Sequence, residues 1–415
     1  DSVYEAYYGM ISPRVGFAWS MDEKTVIRGG FGVFFQPFNL FAGPVEIVQN
    51  RLGEPVEAEL DEAALAQFGV SYPDPSSVVR PLVSGDCSEE TYVCPQADVF
   101  ISDSSLDINR KNPYSLQWSI GFQRQLTDTI AWDFAYVGNN GERLTYSPEN
   151  NRQDRFTGLS PVSNFGTFRH YTQEDSSTYH SLQTSLRRRF QNGLGFGVHY
   201  TYASNLTYFR GEFTCCGADE QPQVFSADGL TSPLGNNRGM PEYYNRHRLF
   251  ADAIWELPLG EGLFKEGWMI GGLFEIRSGS SLRINDRGSR SRGDRPDYVS
   301  DPYVGSWSGG DGPWQYLSPD AFARVPLTDA GRQERIGTLS RRALVGPGFW
   351  TADFNLAKRF RFSGGFSFQL RAEVFNAFNN KNYGNPEQRI ERSSFGQITG
   401  ISAPRIWQLG LRFDF

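Results

Sequence analysis

Long apolar runs are missing from this chain. Nowhere do 18 consecutive apolar residues occur, so no segment reads as a membrane-spanning helix. Cysteine, methionine and histidine are sparse, at four each. The histidines are His170, His180, His199 and His247, and none stands in HExxH or a comparable metal spacing. No Ser/His or Asp/His group presents a nucleophile with a partner, so the sequence argues against a hydrolase, and no cofactor motif is present. A basic excess is also lacking. The formal net charge is −7, which argues against nucleic acid as the main partner. The sequence opens on Asp1 with no initiator Met or signal peptide, as expected of a mature, cleaved or truncated chain.

Aromatic residues, by contrast, are plentiful at 15%, with 33 Phe and 44 Gly beside them in a chain of mean hydropathy −0.46. The pattern they make is clearest at the end. Trp407, Leu409, Leu411, Phe413 and Phe415 alternate with Gln408, Gly410, Arg412 and Asp414. A period of two makes one strand face apolar and the other polar. A tilted strand of this length spans a bilayer. The same alternation recurs upstream: Val15 to Met21, Val26 to Phe35, Tyr114 to Phe122, Ile130 to Tyr136, Leu182 to Phe190, Leu194 to Tyr202, Leu249 to Leu257, Trp268 to Ile276, Trp350 to Phe362 and Phe366 to Val374. The count is about eleven strands. Tight turns follow at Asp22-Glu23-Lys24, Thr127-Asp128-Thr129, Gln191-Asn192-Gly193, Pro258 to Glu266 and Ser363-Gly364-Gly365. Between them run long sections: Gln36 to Lys111, Glu142 to Ser177, the stretch to Tyr244, about seventy residues to Gly346, and Asn376 to Ala403. Short turns alternating with long loops match an all-β transmembrane antiparallel barrel, with long extracellular loops and short periplasmic turns. A soluble sandwich or propeller is the alternative, but its strands average fewer residues.

That arrangement assigns faces. The three-residue turn Thr127-Asp128-Thr129 pairs Phe122 with Phe134 and Ile120 with Tyr136 on one side. Asp353, Arg359, Arg361, Arg371 and Glu373 fall on the other, lumenal row, where they are expected to pair across strands; His199 falls on that row as a pore-lining residue. Arg287, Arg290, Arg292 and Arg295 lie in an outer loop, either as a solvated charged face or as contacts for lipopolysaccharide phosphates or an anionic ligand. Trp307, Trp314 and Tyr316 among glycines serve either to pack that loop or to stack on a sugar or peptide. Cys87 and Cys94 flank a short polar stretch, so a loop disulfide in an oxidising compartment is expected, two free cysteines being the alternative. Cys215 and Cys216 are adjacent, and Leu60 to Phe68 reads as a short helix. An odd strand count starting from an outer loop suggests part of a larger barrel, although one further strand near Val3 to Tyr8 would restore evenness.

Several stretches resemble Oar-like TonB-dependent receptors. Arg341-Arg342-Ala343-Leu344-Val345-Gly346-Pro347-Gly348-Phe349-Trp350, with Asp353, Asn355 and Lys358, is similar to their RNxLRGPGFxNxDxxLxKxF stretch. Gln369 to Asn379 resembles LQFRAEFFNxFN, and Asn382 to Pro386, Phe395 to Ile398, Pro404-Arg405 and Gln408-Leu409 continue in order. Upstream, Ser12 to Ala18, Val26 to Gly32 and Asn245 to Leu249 resemble further barrel strands. The resemblance spans nearly the whole chain and implies the C-terminal half of a 22-stranded barrel. Its N-terminal half, its plug and its TonB box are not recognisable here. It implies energy-dependent import powered by the TonB complex, in the outer membrane of a Gram-negative bacterium, among lipids and lipopolysaccharide. Trp407, Phe413 and Phe415 resemble the signal read by the barrel assembly machinery. A passive or protein-export barrel and a surface adhesion protein are the other readings.

Overall fold

In the computed structural model the described residues are 8–36, 58–59, 100–101, 104–106, 111–146, 149–150, 168–208, 238–241, 244–286, 295–308, 310–329, 331, 333–335, 337–362 and 365–415. Cys87, Cys94, Cys215, Cys216, Arg287, Arg290, Arg292, Ser363, Gly364 and the helix expected over 60–68 lie outside them.

Eleven long strands carry the fold: β1 (Arg14–Asp22), β2 (Thr25–Phe35), β3 (Tyr114–Gln125), β4 (Ile130–Tyr146), β5 (Phe168–Gln191), β6 (Leu194–Thr207), β7 (His247–Glu256), β8 (Trp268–Arg277), β9 (Phe349–Arg361), β10 (Ser367–Phe375) and β11 (Ile406–Asp414). Each pairs antiparallel with its neighbour in sequence, giving one sheet that runs from β1 to β11. Short strands Ser104–Leu106 and Glu149–Asn150 add to the outer part of β5.

The register keeps one apolar row in step across the sheet. Ile27 faces Phe122, Phe122 faces Phe134, and Ile120 faces Tyr136. Further on, Leu186 faces Val198, Val198 faces Ala251, Ala251 faces Phe274, and Phe354 faces Val374. These side chains are open on one side: Phe17 is 55% exposed, Leu370 40% and Leu409 82%. Among the described residues no protein layer covers the row, as befits strands whose apolar face meets lipid. Trp19, Trp132, Trp255 and Trp268 stand near the periplasmic ends, and Tyr114, Trp118, Trp350 and Trp407 near the outer ends, as interfacial girdles do.

Local chemistry sets the turns and the flat places. Asn192 and Gly193 both adopt positive φ (53° and 77°), as a two-residue hairpin turn of matching twist requires. Gly138 faces Trp118 across the β3–β4 pair, and the indole lies on the bare backbone; a Cβ there would come within 2.1 Å of the ring. This is aromatic cover over a strand glycine.

Two departures from the sequence reading concern the outer side. The section Glu142 to Ser177 is not all loop: β4 runs to Tyr146 and β5 begins at Phe168, so the hairpin projects beyond the lipid-facing band. The apolar alternation stops where lipid stops, but backbone pairing needs no apolar side chain. Likewise the described parts of the connections 278–348 and 376–405 fold together into a cap. Short ladders join Ser281–Leu282 to Leu344–Val345, Asp297–Tyr298 to Phe322–Ala323, and Trp314–Gln315 to Gln397–Ile398. Leu282, Ile284, Leu317, Ala321, Phe322, Leu339, Phe395 and Ile398 are buried within it. This is the buried hydrophobic cluster of the described residues; the sheet has lipid in its place.

Candidate functional site

The cap and the lumenal wall are the two polar surfaces of the chain. In the cap, Trp307 packs against Tyr316 and Tyr383, and Trp314 packs against Tyr383. Ring centroids lie 4.8 Å apart for Trp307–Tyr316, 4.8 Å for Trp307–Tyr383 and 5.0 Å for Trp314–Tyr383, all edge to face. Trp314 and Tyr316 are buried. Edge-to-face packing at these distances stabilises the loop by its own chemistry. Of the two sequence readings for these residues, the geometry displays loop packing. Burial raises the Tyr316 hydroxyl above the ordinary tyrosine range, and that hydroxyl donates to the Val345 carbonyl at 3.0 Å.

Ion pairs fasten the same cap. Arg324 Nε and Nη2 grip the Asp286 carboxylate at 2.8 and 2.9 Å, with Asp286 fully buried. Arg335 holds Asp297 the same way at 2.7 and 2.6 Å, and these hydrogen bonds lower the Asp297 carboxyl below its usual range. Arg295, expected as an exposed contact, is buried at 8% exposure. Neither Asp286 nor Asp297 stood out in the sequence, because each becomes half of a bidentate pair through a contact 38 residues away.

On the lumenal row the five residues named make no direct cross-strand ion pair among the described residues. Arg371 pairs with Glu373 along the same strand, at 3.4 Å. Opposite Arg371 stand Ala357 and Gly410, and opposite Glu373 stand Asn355 and Gln408, so no countercharge is in register. Asp353 instead accepts from the Asn376 backbone N–H at 2.8 Å and from Thr351 Oγ1 at 3.2 Å, fixing where β10 ends. Arg359 and Arg361 face Gln369 and Ser367. Cross-strand pairs do form elsewhere: Arg187 with Asp133 at 2.9 Å and Arg248 with Glu275 at 3.2 Å. Each is a diagonal neighbour, which alternation alone does not identify.

A cleft of about 500 Å³ opens on this wall towards its periplasmic end, between Arg187 and Arg189 on one side and His199 and Asp252 on the other. Its floor is Gly195 and Gly197. Asp252 Oδ1 and His199 Nε2 both lean over Gly197, each 2.8 Å from where a Cβ would stand. The lumenal parity of His199 is as the sequence indicated; Asp252 is the residue it left unremarked. The wall is thus polar, charged in both signs and open to water. Among the described residues no group of three or more His, Cys, Asp or Glu side chains is arranged to hold a metal ion.

These features define an outer-membrane β-barrel wall. The family model for the outer membrane beta barrel domain matches residues 1–408, and the chain belongs to that family. Among solved structures it is similar to the outer membrane transporter YddB from Escherichia coli (10% identity, TM-score 0.49, 96% of this chain and 40% of that one). It is also similar to BauA, the ferric preacinetobactin receptor from Acinetobacter baumannii (10% identity, TM-score 0.41, 97% and 36%). A third is the ferripyoverdine receptor of the outer membrane of Pseudomonas aeruginosa (11% identity, TM-score 0.44, 97% and 33%). The chain therefore spans 40% or less of these structures' own length. No curated protein matches it in sequence.

Proposed function

We propose that this chain forms the C-terminal part of the barrel of a TonB-dependent receptor of the Oar-like kind, importing a ligand at the expense of inner-membrane energy. The observation that carries this reading is the pairing of a folded outer cap with a charged, polar wall below it. A cap with its own core captures a ligand outside; a polar wall conducts it. The stretch from Arg341 to Trp350 supports the subtype, since it joins cap to wall in the order the resemblance implies. In this reading residues 1–415 are barrel, and the remaining strands, plug and TonB box lie in a complementary part. The partners are that part, the TonB complex, lipopolysaccharide and lipid, and the assembly machinery reading Trp407, Phe413 and Phe415. The loop arginines Arg287, Arg290, Arg292 and Arg295 remain proposed contacts for anionic groups, the last from within the cap. The chain has no catalytic role in this scheme.

The test is whole-cell accumulation of candidate ligands with and without a working TonB. Loss of accumulation without TonB, with surface binding retained, is the expected outcome. Accumulation indifferent to TonB would make this a passive pore, and binding without accumulation an adhesion platform.

A further inference from the structure

Five turns lie on the periplasmic side, and the one between β7 and β8 differs from the rest. It spans 257–267, whereas β1–β2 and β5–β6 are joined by two residues each. Its tip is apolar: Leu259 is 54% exposed, Leu263 40% and Phe264 74%. It is also ordered. Leu257 N–H donates to Trp268 O at 2.9 Å, and the amides of Lys265 and Glu266 both donate to Gly262 O at 3.0 Å. Gly260, Gly262 and Gly267 adopt φ of 102°, 112° and 76°, conformations that L side chains rarely hold. At Gly267 a Cβ would also meet the Arg359 carbonyl at 2.5 Å.

The turn folds towards the lipid side of the wall rather than the lumen. The Phe264 ring lies 6.2 Å from Phe360, edge to face. Phe360 belongs to the lipid-facing row and continues through Phe368 (5.9 Å) to Phe413 (5.0 Å). Trp268 Nε1 donates to the Phe264 carbonyl at 2.8 Å. Lys358, also on the lipid-facing row, donates its ammonium to the Glu266 carbonyl and lies over the Trp268 and Phe360 rings, 5.6 and 4.8 Å from their centroids. Arg124 and Arg188 occupy the same row near the periplasmic ends of β3 and β5, facing Trp132 and Phe196. Basic and aromatic side chains at one level mark the headgroup boundary.

We infer that the 257–267 turn is a membrane-interface anchor, with Leu259, Leu263 and Phe264 inserted among the phospholipids of the periplasmic leaflet. The phenylalanine row makes the tip continuous with the lipid-facing surface, and a positive-φ glycine scaffold holds it there. Lys265 stands beside the tip, within reach of phospholipid phosphates.

The test places a nitroxide at the tip of the full-length protein, as Phe264→Cys with Cys87, Cys94, Cys215 and Cys216 replaced by serine. The protein is inserted into vesicles of phosphatidylethanolamine and phosphatidylglycerol. Collision with oxygen over a water-soluble nickel chelate is then compared with Leu370→Cys, facing lipid, and Asp128→Cys, in a polar turn. The expected shift is towards oxygen, as at position 370. Preference for nickel, as at position 128, would overturn the inference, as would shielding from both, which denotes a protein contact. If Phe264→Cys does not insert, Leu263→Cys gives the same reading.

Discussion

Gly138 shows how little a single position needs to say to matter. Its hydrogen is what lets the Trp118 indole lie flat across the β3–β4 pair. Replacing Gly138 by Ala puts a methyl into the ring, and overpacking of this kind costs about 1–3 kcal/mol. Urea unfolding in detergent micelles should show that loss for Gly138→Ala, and little for Gly400→Ala, where nothing stands within 4 Å and φ is not positive. Residues whose role follows from alternation were legible: Phe122 opposite Phe134, and His199 on the lumenal row. Those whose role depends on diagonal or distant partners were not. Arg371 meets Glu373 along its own strand because its facing positions hold Ala357 and Gly410, a matter of register that composition does not carry.

Among the described elements β5 is the longest strand, at 24 residues. Asp175 lies sixteen residues above the periplasmic end of β5 at Gln191, about 50 Å along the strand at ~3.3 Å per residue, beyond the apolar band. It is buried, and burial pushes its carboxyl up to about 6 against backbone hydrogen bonds from Ser176 and Tyr208 and the nearby Arg341 charge. Arg341 belongs to the cap and donates to the Thr207 carbonyl at 2.9 Å, so this carboxyl sits where hairpin and cap meet. A raised folded-state value means that the proton is held more tightly folded than unfolded. The stabilising contribution is complete below the unfolded value of 3.8 and is lost as pH rises through about 6. At ~1.4 kcal/mol per unit, this amounts to at most about 3 kcal/mol. Denaturation midpoints of the outer hairpin should therefore fall between pH 4 and 6 in the wild type. Asp175→Asn should lack that fall. The strands themselves were readable where they cross lipid. Their outer extensions were not, since above the bilayer neither edge of the alternation is enforced.

At the scale of the molecule, two solvents divide the work. The wall has lipid where a soluble protein has a core, and the cap holds its buried cluster outside the membrane. Leu317 is fully buried there, and Leu317→Ala should cost about 2–5 kcal/mol within the cap. Limited proteolysis of the variant in intact outer membrane should cut between 278 and 348 much faster than in the wild type, while the wall keeps its resistance to heat in detergent. Loss of both together would mean that cap and wall fold as one. The barrel class was plain from the sequence because alternation and turn spacing are short-range. The cap was not, because its core is assembled from two segments that read separately as loops.

That assembly bears on how the outer face of such a barrel diverges. Trp314 and Gln315 of one outer segment are laddered to Gln397 and Ile398 of the other, with β9 and β10 between them in the chain. A graft of either segment alone leaves half a core without its complement. Changes to the outer face are then inherited as a matched pair of segments, and recombination points falling within β9 or β10 separate halves that fit only each other.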